Sequence, residues 1–145
     1  MSNITVQISD KTITNGLALS LEESKMHPKI FFNRFPDENF TILVVDPDAP
    51  SRENPEFRYF LHLLIINNDI EIVPYEPPNP PSNTGFHRYF FCLYKQKFPF
   101  NKEHMLILPN KKNDKITRAN FNLNEFSHVN HLTLIDSVYF QTENK

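Results

Sequence analysis

The chain has 145 residues, of which 39% are hydrophobic and 13% aromatic, enough to bury one core of ordinary domain size and to argue against overall disorder. Its formal net charge of -2 comes from 15 basic and 17 acidic residues mixed along the chain, so it lacks the broad basic surface that nucleic-acid binding needs. The single cysteine, Cys92, excludes an intramolecular disulfide.

The sequence shows no targeting pattern. Residues 1–20 lack the charged start and apolar stretch of a signal peptide. Nowhere do about 18 apolar residues follow one another, as a membrane-spanning helix requires. We therefore expect a cytoplasmic protein without stable membrane insertion, and no residue pattern calls for a cofactor.

Short apolar runs bounded by proline or by Asn and Asp predict the strands of a mostly β domain. In chain order they are Ile4–Ile8, Lys29–Phe32, Phe40–Val45, Tyr59–Ile66, Glu71–Val73, Phe86–Leu93, Met105–Leu108 and Val138–Gln141. Leu61–Ile66 and Tyr89–Leu93 are almost continuously apolar, which is typical of central strands covered on both faces. We predict two packed sheets, with residues 1–145 forming one domain.

One helix is predicted near the end of the chain. Asn122 is followed three residues later by Glu125, a pairing typical of a helix N-terminus. The apolar face of this helix would hold Leu123, Phe126 and either Val129 or Asn130. The polar run Lys111–Lys115 is interpreted as an exposed loop.

Asp46 follows directly on the apolar run Phe40–Val45 and opens the segment DPDAPSRENPEFR, which contains three prolines. An aspartate at the end of a buried strand can project into a crevice, and the prolines stiffen the loop that follows. The alternative is an ordinary turn in which Asp46 and Asp48 accept hydrogen bonds from their own backbone.

His62 heads the apolar run LLII. Because side chains two apart share a face of a strand, His62 is predicted to point with Leu64 and Ile66, and Leu61 and Leu63 to point the other way. The alternative is a histidine satisfied within the core.

The segment TGFHRYFF follows a proline cluster, PPNPP, and contains a third group of polar residues. His87 and Tyr89 share one face of the predicted strand, and Arg88 lies on the other, where we expect it to form a structural pair. Together with Asp46 and His62, these side chains would form a small polar cluster in apolar surroundings. Imidazole N–H groups and a phenol can donate to phosphate or carboxylate oxygens, so the cluster favours an anionic ligand.

DPDAPSR at Asp46–Arg52, then Arg58, His62 and Asn67, then PP, Gly85 and HRY resemble the two signature regions of the phosphatidylethanolamine-binding protein family. This family includes Raf kinase inhibitor proteins and plant flowering-time regulators. The regions agree with the family in order and approximate spacing. Weaker similarity extends to PKIFF near the start and to FNLNEF and VYFQTE near the end.

The resemblance implies an antiparallel β-sandwich with a Greek-key element, one or two short helices, and a pocket for phosphorylated headgroups. Carried over position by position, it assigns ligand binding to Asp46, His62, Pro81, His87 and Tyr89. It assigns supporting roles around the pocket to Asp48, Pro50, Arg52, Arg58, Gly85 and Arg88. It also implies cis peptide bonds from the candidates Asp46–Pro47, Ala49–Pro50 and Arg58–Tyr59.

The chain departs from the family pattern in two places. Tyr59 and Phe60 stand where members usually carry Glu-Trp, so the pocket rim must differ. The sequence ends at Lys145, so we expect the C-terminal helix of animal members to be absent and the pocket to be more open.

Three functions follow as hypotheses. The first is non-enzymatic binding of a phosphate ester or phospholipid headgroup, coupled to regulation of a partner protein in signalling. The second is inhibition of a kinase or serine protease through a protein interface. The third is an enzyme, in which Asp46, His62 and His87 hold a metal or one histidine acts as a base. Ser51 is the nearest hydroxyl in sequence, but with two glycines the chain has no Gly-rich oxyanion loop, so we expect no catalytic residue. We also expect no bound metal.

Overall fold

Two packed β-sheets, a short hairpin and two short helices make up the computed structural model, which describes residues 3–108, 111–112 and 115–145. In chain order the strands are β1 (Ile4–Ile8), β2 (Lys11–Thr12), β3 (Leu17–Ala18), β4 (Lys29–Phe32), β5 (Phe40–Asp46), β6 (Phe60–Ile66), β7 (Ile70–Val73), β8 (His87–Gln96), β9 (Lys111–Lys112), β10 (Lys115–Ile116) and β11 (Leu132–Thr142); the helices are α1 (Leu21–Ser24) and α2 (Leu123–Val129).

The larger sheet has six strands in the order β3-β11-β8-β5-β6-β7, and the smaller has three in the order β2-β1-β4. Strands β5, β6 and β7 pair consecutively and antiparallel, and β8 returns to pair with β5. This arrangement is the predicted Greek key. Strand β3 pairs with β11 in parallel, a local departure from the antiparallel pattern that the resemblance implies.

The larger sheet is covered on both faces, which explains why its central strands read as continuous apolar runs. On one face, β1 of the smaller sheet packs its alternating Ile4, Val6 and Ile8 against a layer that includes Phe91 and Phe140. The other face is covered by α2 and the segment before it, which form a second apolar cluster with the sheet. The buried members of this cluster are Leu43, Val45, Leu61, Leu64, Ile66, Val73, Cys92, Tyr94, Phe100, Phe121 and Phe126.

The predicted strands agree with the structure for seven of the eight apolar runs, with shifted ends and a much longer β11. The exception is Met105–Leu108, which is not a strand. There the backbone of Ile107 is satisfied by the Asn130 side chain, whose Oδ1 accepts its N–H at 2.8 Å and whose Nδ2 donates to its carbonyl at 2.8 Å. A side-chain amide therefore replaces the neighbouring strand that the apolar pattern suggested.

Helix α2 begins as predicted, because the Asn122 side chain accepts the Glu125 N–H at 3.0 Å. Helix α1 was not predicted; it is a single turn held by a capping box between Ser20 and Glu23. The run Lys111–Lys115, interpreted as a loop, contributes β9 and the start of β10, and Asn113 and Asp114 lie outside the described residues. No helix in the described part of the chain is long and apolar enough to span a membrane.

Candidate ligand-binding site

A cavity of about 280 Å³ lies where β5 ends and where β6 and β8 begin, and we call it the strand-end cavity. Its polar wall combines residues from separate stretches of the sequence, and its rim is rich in proline and phenylalanine. The lining residues are Asp46, Ala49, Pro50, Phe57, Phe60, His62, Glu76, Pro77, Asn79, Pro80, Pro81, His87 and Tyr89. The structure therefore brings all five of the predicted ligand-binding residues to one cavity.

Asp46 is the last residue of β5 and is 3% exposed. Its Oδ2 lies 3.0 Å from Nδ1 of His87, and its Oδ1 accepts the N–H of Asp48 at 2.7 Å. Both sequence interpretations of Asp46 thus hold at once, because one carboxylate oxygen fixes the turn and the other faces a cavity histidine.

His87 has both ring nitrogens engaged. Nδ1 meets the Asp46 carboxylate, and Nε2 lies 2.9 Å from Oγ1 of Thr84, whose hydroxyl donates to the carbonyl of Pro81 at 2.8 Å. With that proton committed, Thr84 accepts from Nε2 of His87, while Nδ1 faces the Asp46 carboxylate. His87 therefore orders the loop after the proline cluster and has no spare N–H for a ligand in this arrangement.

His62 reaches the cavity because β6 is irregular at that point. In the register with β5, Val44 lies opposite Leu63 and Val45 opposite Leu61, which leaves His62 as the extra residue of a β-bulge. The prediction that His62 shares a face with Leu64 and Ile66 is wrong for this reason. Leu64 and Ile66 pack in the cluster under α2, whereas the His62 ring contacts Tyr89 on the opposite face.

The protonation of His62 follows from its surroundings. Its Nδ1 donates to the carbonyl of Glu76, so a neutral ring carries its lone pair on Nε2. Burial lowers the pKa of His62, and this outweighs the hydrogen bond to Glu76 and the charge of Asp46, which act in the opposite direction. At neutral pH the ring is therefore neutral, and Nε2 is an acceptor with no partner among the described residues.

Tyr89 packs between His62 and Phe140. Its ring meets the His62 ring edge-on, with 5.2 Å between centroids, and stacks on Phe140 at 5.2 Å. Burial raises the pKa of Tyr89, so the phenol keeps its proton. Its hydroxyl has no hydrogen-bond partner among the described residues, and Tyr89 is one of the residues that line the cavity.

The predicted supporting residues form the loop behind the cavity. Asp48 is 1% exposed and binds Arg88 through three hydrogen bonds of 2.9 Å, one of them from the Arg88 backbone. Burial acts to raise the pKa of Asp48, but the bonds and charge of Arg88 outweigh it and lower the pKa. Arg52 adds a longer contact of 4.0 Å to Asp48 from the surface. Arg88 is thus a structural pair, as the sequence predicted.

Pro50, Arg58 and Gly85 shape the same loop region. The peptide bonds Ala49–Pro50 and Arg58–Tyr59 are cis, as predicted, whereas the cis bond predicted before Pro47 is not found. Arg58 donates from Nε to the carbonyl of Pro47 at 3.1 Å and so links the two ends of the loop. Gly85 has a φ of +80°, a conformation that favours glycine.

Sequence reasoning missed three residues that organise the site: Glu76, Thr84 and Arg118. Arg118 donates to the carbonyls of Leu61 and His62 at 3.1 Å each and to that of Pro74 at 2.8 Å. Thr84 could have been suspected from its place three residues before His87. Arg118 lies 56 positions from His62 and carried no local signal.

The structure also bears on the proposed metal site. The described residues contain no group of three or more His, Cys, Asp or Glu placed to hold a metal ion. The physical reason is visible in the hydrogen bonds, since His87 and Nδ1 of His62 are occupied by protein partners.

The family model described as phosphatidylethanolamine-binding protein matches residues 7–72 and 66–139 of the chain. A phosphatidylethanolamine-binding protein homolog of Acanthamoeba polyphaga mimivirus is 46% identical over 144 residues, covering 99% of both chains. A β-sandwich with a small cavity at the strand ends defines the class, and the chain belongs to the phosphatidylethanolamine-binding protein family.

Solved structures agree on the fold. The phosphatidylethanolamine-binding protein from Plasmodium vivax superimposes with a TM-score of 0.78 at 23% identity, covering 98% of this chain and 86% of that one. The carboxypeptidase Y inhibitor, solved in complex with its cognate proteinase, gives a TM-score of 0.78 at 22% identity, covering 98% and 83%. At these identities the likeness shows the shared sandwich architecture.

Proposed function

We propose that this chain is a non-enzymatic binding protein that takes a small phosphate ester into the strand-end cavity. The observation that carries the proposal is a pair of polar groups in an apolar cavity that have no hydrogen-bond partner among the described residues, Nε2 of His62 and the hydroxyl of Tyr89. Apolar walls with a few convergent polar groups are the usual form of a small-molecule site. The proline and phenylalanine rim, which includes the 43% exposed Phe57, suits an organic substituent on the phosphate.

The hydrogen bonds favour binding over catalysis. Catalysis through a base needs a nucleophile within its reach. Both ring nitrogens of His87 are engaged by Asp46 and Thr84, and no Ser, Thr or Cys is among the described residues that line the cavity beside Nε2 of His62. Ser51 does not line the cavity, and its hydroxyl accepts the N–H of Asn54 at 3.0 Å. These groups therefore hold the cavity in shape.

The test is a calorimetric titration of the wild-type chain with phenyl phosphate at pH 6. Saturable 1:1 binding is expected, and Tyr89→Phe should weaken it about tenfold because the donated hydrogen bond to a charged oxygen is lost. Tyr139→Phe is the matched control, because Tyr139 stacks on Phe90 outside the cavity and should leave affinity unchanged. Absence of wild-type binding would refute the proposal.

His87→Ala is a poor substitute in that test. It would leave Asp46, which is 3% exposed, without its partner, so lost binding could reflect a damaged fold. The hydroxyl deletion at Tyr89 changes one atom and keeps the ring that packs on Phe140.

A second candidate is inhibition of a protease through a protein surface. It is suggested by the likeness in fold to the carboxypeptidase Y inhibitor. A proteolysis assay with carboxypeptidase Y and an excess of this chain distinguishes protease inhibition from phosphate-ester binding. Inhibition that Tyr89→Phe leaves intact would assign activity to the outer surface, whereas phosphate-ester binding without inhibition supports the first proposal. Regulation of a kinase pathway is tested in the same way, with kinase activity as the readout.

A further inference from the structure

Within the part of the chain that the structure describes, two polar groups of the strand-end cavity lack a hydrogen-bond partner: an acceptor on His62 and a donor on Tyr89. Nδ1 of His62 is spent on the Glu76 carbonyl, so the neutral ring offers only the lone pair of Nε2. The Tyr89 hydroxyl, on a ring whose centroid lies 5.2 Å from that of His62, offers a proton. A ligand that satisfies both groups must itself carry a donor and an acceptor.

The cavity also lacks a cation to balance a fully ionised ligand. Among the described residues that line it there is no lysine or arginine, but there are two carboxylates, Asp46 and Glu76. Nδ1 of His87 lies 3.0 Å from the Asp46 carboxylate, and Nε of Arg118 lies 4.0 Å from Glu76, so both groups already face an acidic partner. A ligand of low charge that carries a proton fits these walls better than a dianion.

We infer that the strand-end cavity selects phosphate groups that carry their own proton, that is, phosphate monoesters as monoanions rather than phosphate diesters or sulfate esters. This inference rests on the proposed function. The P–OH of the monoester donates to Nε2 of His62, and the Tyr89 hydroxyl donates to another phosphate oxygen.

Diesters and sulfate esters have the same charge as the monoester monoanion but only acceptor oxygens near neutral pH. In the cavity they would set an oxygen lone pair against the lone pair of His62, and both acceptors would lie unpaired away from water. A buried polar group left without its partner weakens binding by roughly 10- to 100-fold. A sulfate ester matches the monoester monoanion in size and net charge, so in that comparison the proton alone accounts for the difference.

The competing arrangement places the proton on His62, which would then accept any anion. The titratable and charged groups that face this ring from the surrounding elements are Asp46, Glu76, His87, Tyr89 and Arg118. The carboxylates favour a charged ring, whereas burial and the Arg118 cation oppose it, and the balance lowers the pKa of His62. The neutral ring is therefore the form that the surroundings of His62 favour.

The experiment compares phenyl phosphate, methyl phenyl phosphate and phenyl sulfate by calorimetry with the full chain at pH 6. Phenyl phosphate should bind at least tenfold tighter than the other two. Its affinity should fall as pH rises from 6 to 8, because the monoester loses its proton with a pKa near 6, while weak binding of phenyl sulfate should stay constant.

The outcomes separate this inference from the proposed function. If none of the three ligands binds, phosphate-ester binding itself fails. If all three bind equally at pH 6, or phenyl sulfate matches phenyl phosphate as the pH is lowered to 5, the proton belongs to His62 and the selection for monoesters is refuted.

Two variants test the residue assignment. His62→Gln offers an amide that can donate to an anion oxygen, so the preference for phenyl phosphate should shrink below about threefold. Tyr89→Phe should weaken all three ligands by a similar factor and leave their ratio unchanged. An unchanged preference in His62→Gln would overturn the assignment to His62.

A phosphate monoester can come from a free metabolite or a lipid headgroup. Vesicles containing phosphatidic acid, a monoester, are compared with vesicles containing phosphatidylglycerol, a diester, in a sedimentation assay. Capture by phosphatidic acid alone assigns a lipid source, and capture by neither, with phenyl phosphate bound, assigns a soluble one. Equal capture by both would contradict the selection for a proton-bearing group.

Discussion

His62 and His87 differ in how many of their ring nitrogens have protein partners, and the difference comes from their neighbours. His87 has a carboxylate on one side and an accepting hydroxyl on the other, which engage both of its ring nitrogens. His62 has one backbone carbonyl and apolar rings, and burial keeps it neutral. One histidine thus stabilises the fold of the site, and the other remains available to a ligand.

We expect Asp46→Ala to lower the free energy of unfolding by about 3 kcal/mol, because it leaves a buried imidazole without its carboxylate and releases the N–H of Asp48. Urea denaturation followed by circular dichroism measures this. Glu103→Ala is the matched control, since Glu103 also pairs with a histidine, His104, at 4.0 Å, but its side chain is 82% exposed. Equal effects of the two substitutions would contradict a special role for the buried pair.

At the scale of elements, the bulge in β6 aims His62 at the cavity, and Arg118 clamps that bulge. Its guanidinium joins the carbonyls of Leu61 and His62 to that of Pro74 across the sheet edge. The chain segment that contains Pro74 also brings the Glu76 carbonyl to Nδ1 of His62. Arg118 is therefore a positioning residue, acting on the ligand site through the backbone of two elements.

Arg118→Ala should lower stability by about 2 kcal/mol, because three backbone carbonyls lose a charged donor. It should also broaden or shift the ring nitrogen-15 NMR signals of His62, because the Nδ1–H tautomer is no longer held in place. A loss of structure elsewhere would not cause this change. Arg52→Ala is the control, as Arg52 is 52% exposed on its side chain and makes only a 4.0 Å contact. A sharp, unshifted His62 signal in Arg118→Ala would exclude the positioning role.

At the scale of the whole molecule, the six-stranded sheet separates two apolar layers. The smaller sheet covers one face, and Phe126 of α2 together with Phe121, just before the helix, covers the other. The strand-end cavity opens where these layers end, so its walls are set by strands that are buried on both sides. Such support gives the strand-end cavity a fixed geometry.

Phe126→Ala should lower the free energy of unfolding by about 4 kcal/mol, since Phe126 is 0% exposed and anchors a helix of only seven residues. Thermal unfolding should remain a single transition at a lower temperature if the two layers fold together. Met105→Ala, at a side chain 74% exposed, should change little. Two separate transitions in Phe126→Ala would show that the layers are independent.

Much of the fold could be predicted from local pattern. Apolar runs and prolines located the central strands, Asn122 located the start of α2, and the spacing of HRY placed His87 and Tyr89 on one face. These features depend on neighbours close in sequence. The run Met105–Leu108 failed because its backbone partner, Asn130, lies far along the chain.

The sequence by itself determined which side chains are candidates for the site, because the motifs containing Asp46, His62 and His87 carry them in order. Only the tertiary structure decided their chemical states. The bulge that turns His62, the clamp of Arg118 and the bond from Thr84 to His87 depend on contacts across strands. Proton positions follow hydrogen-bond partners, and those partners exist only once distant segments of the chain have packed together.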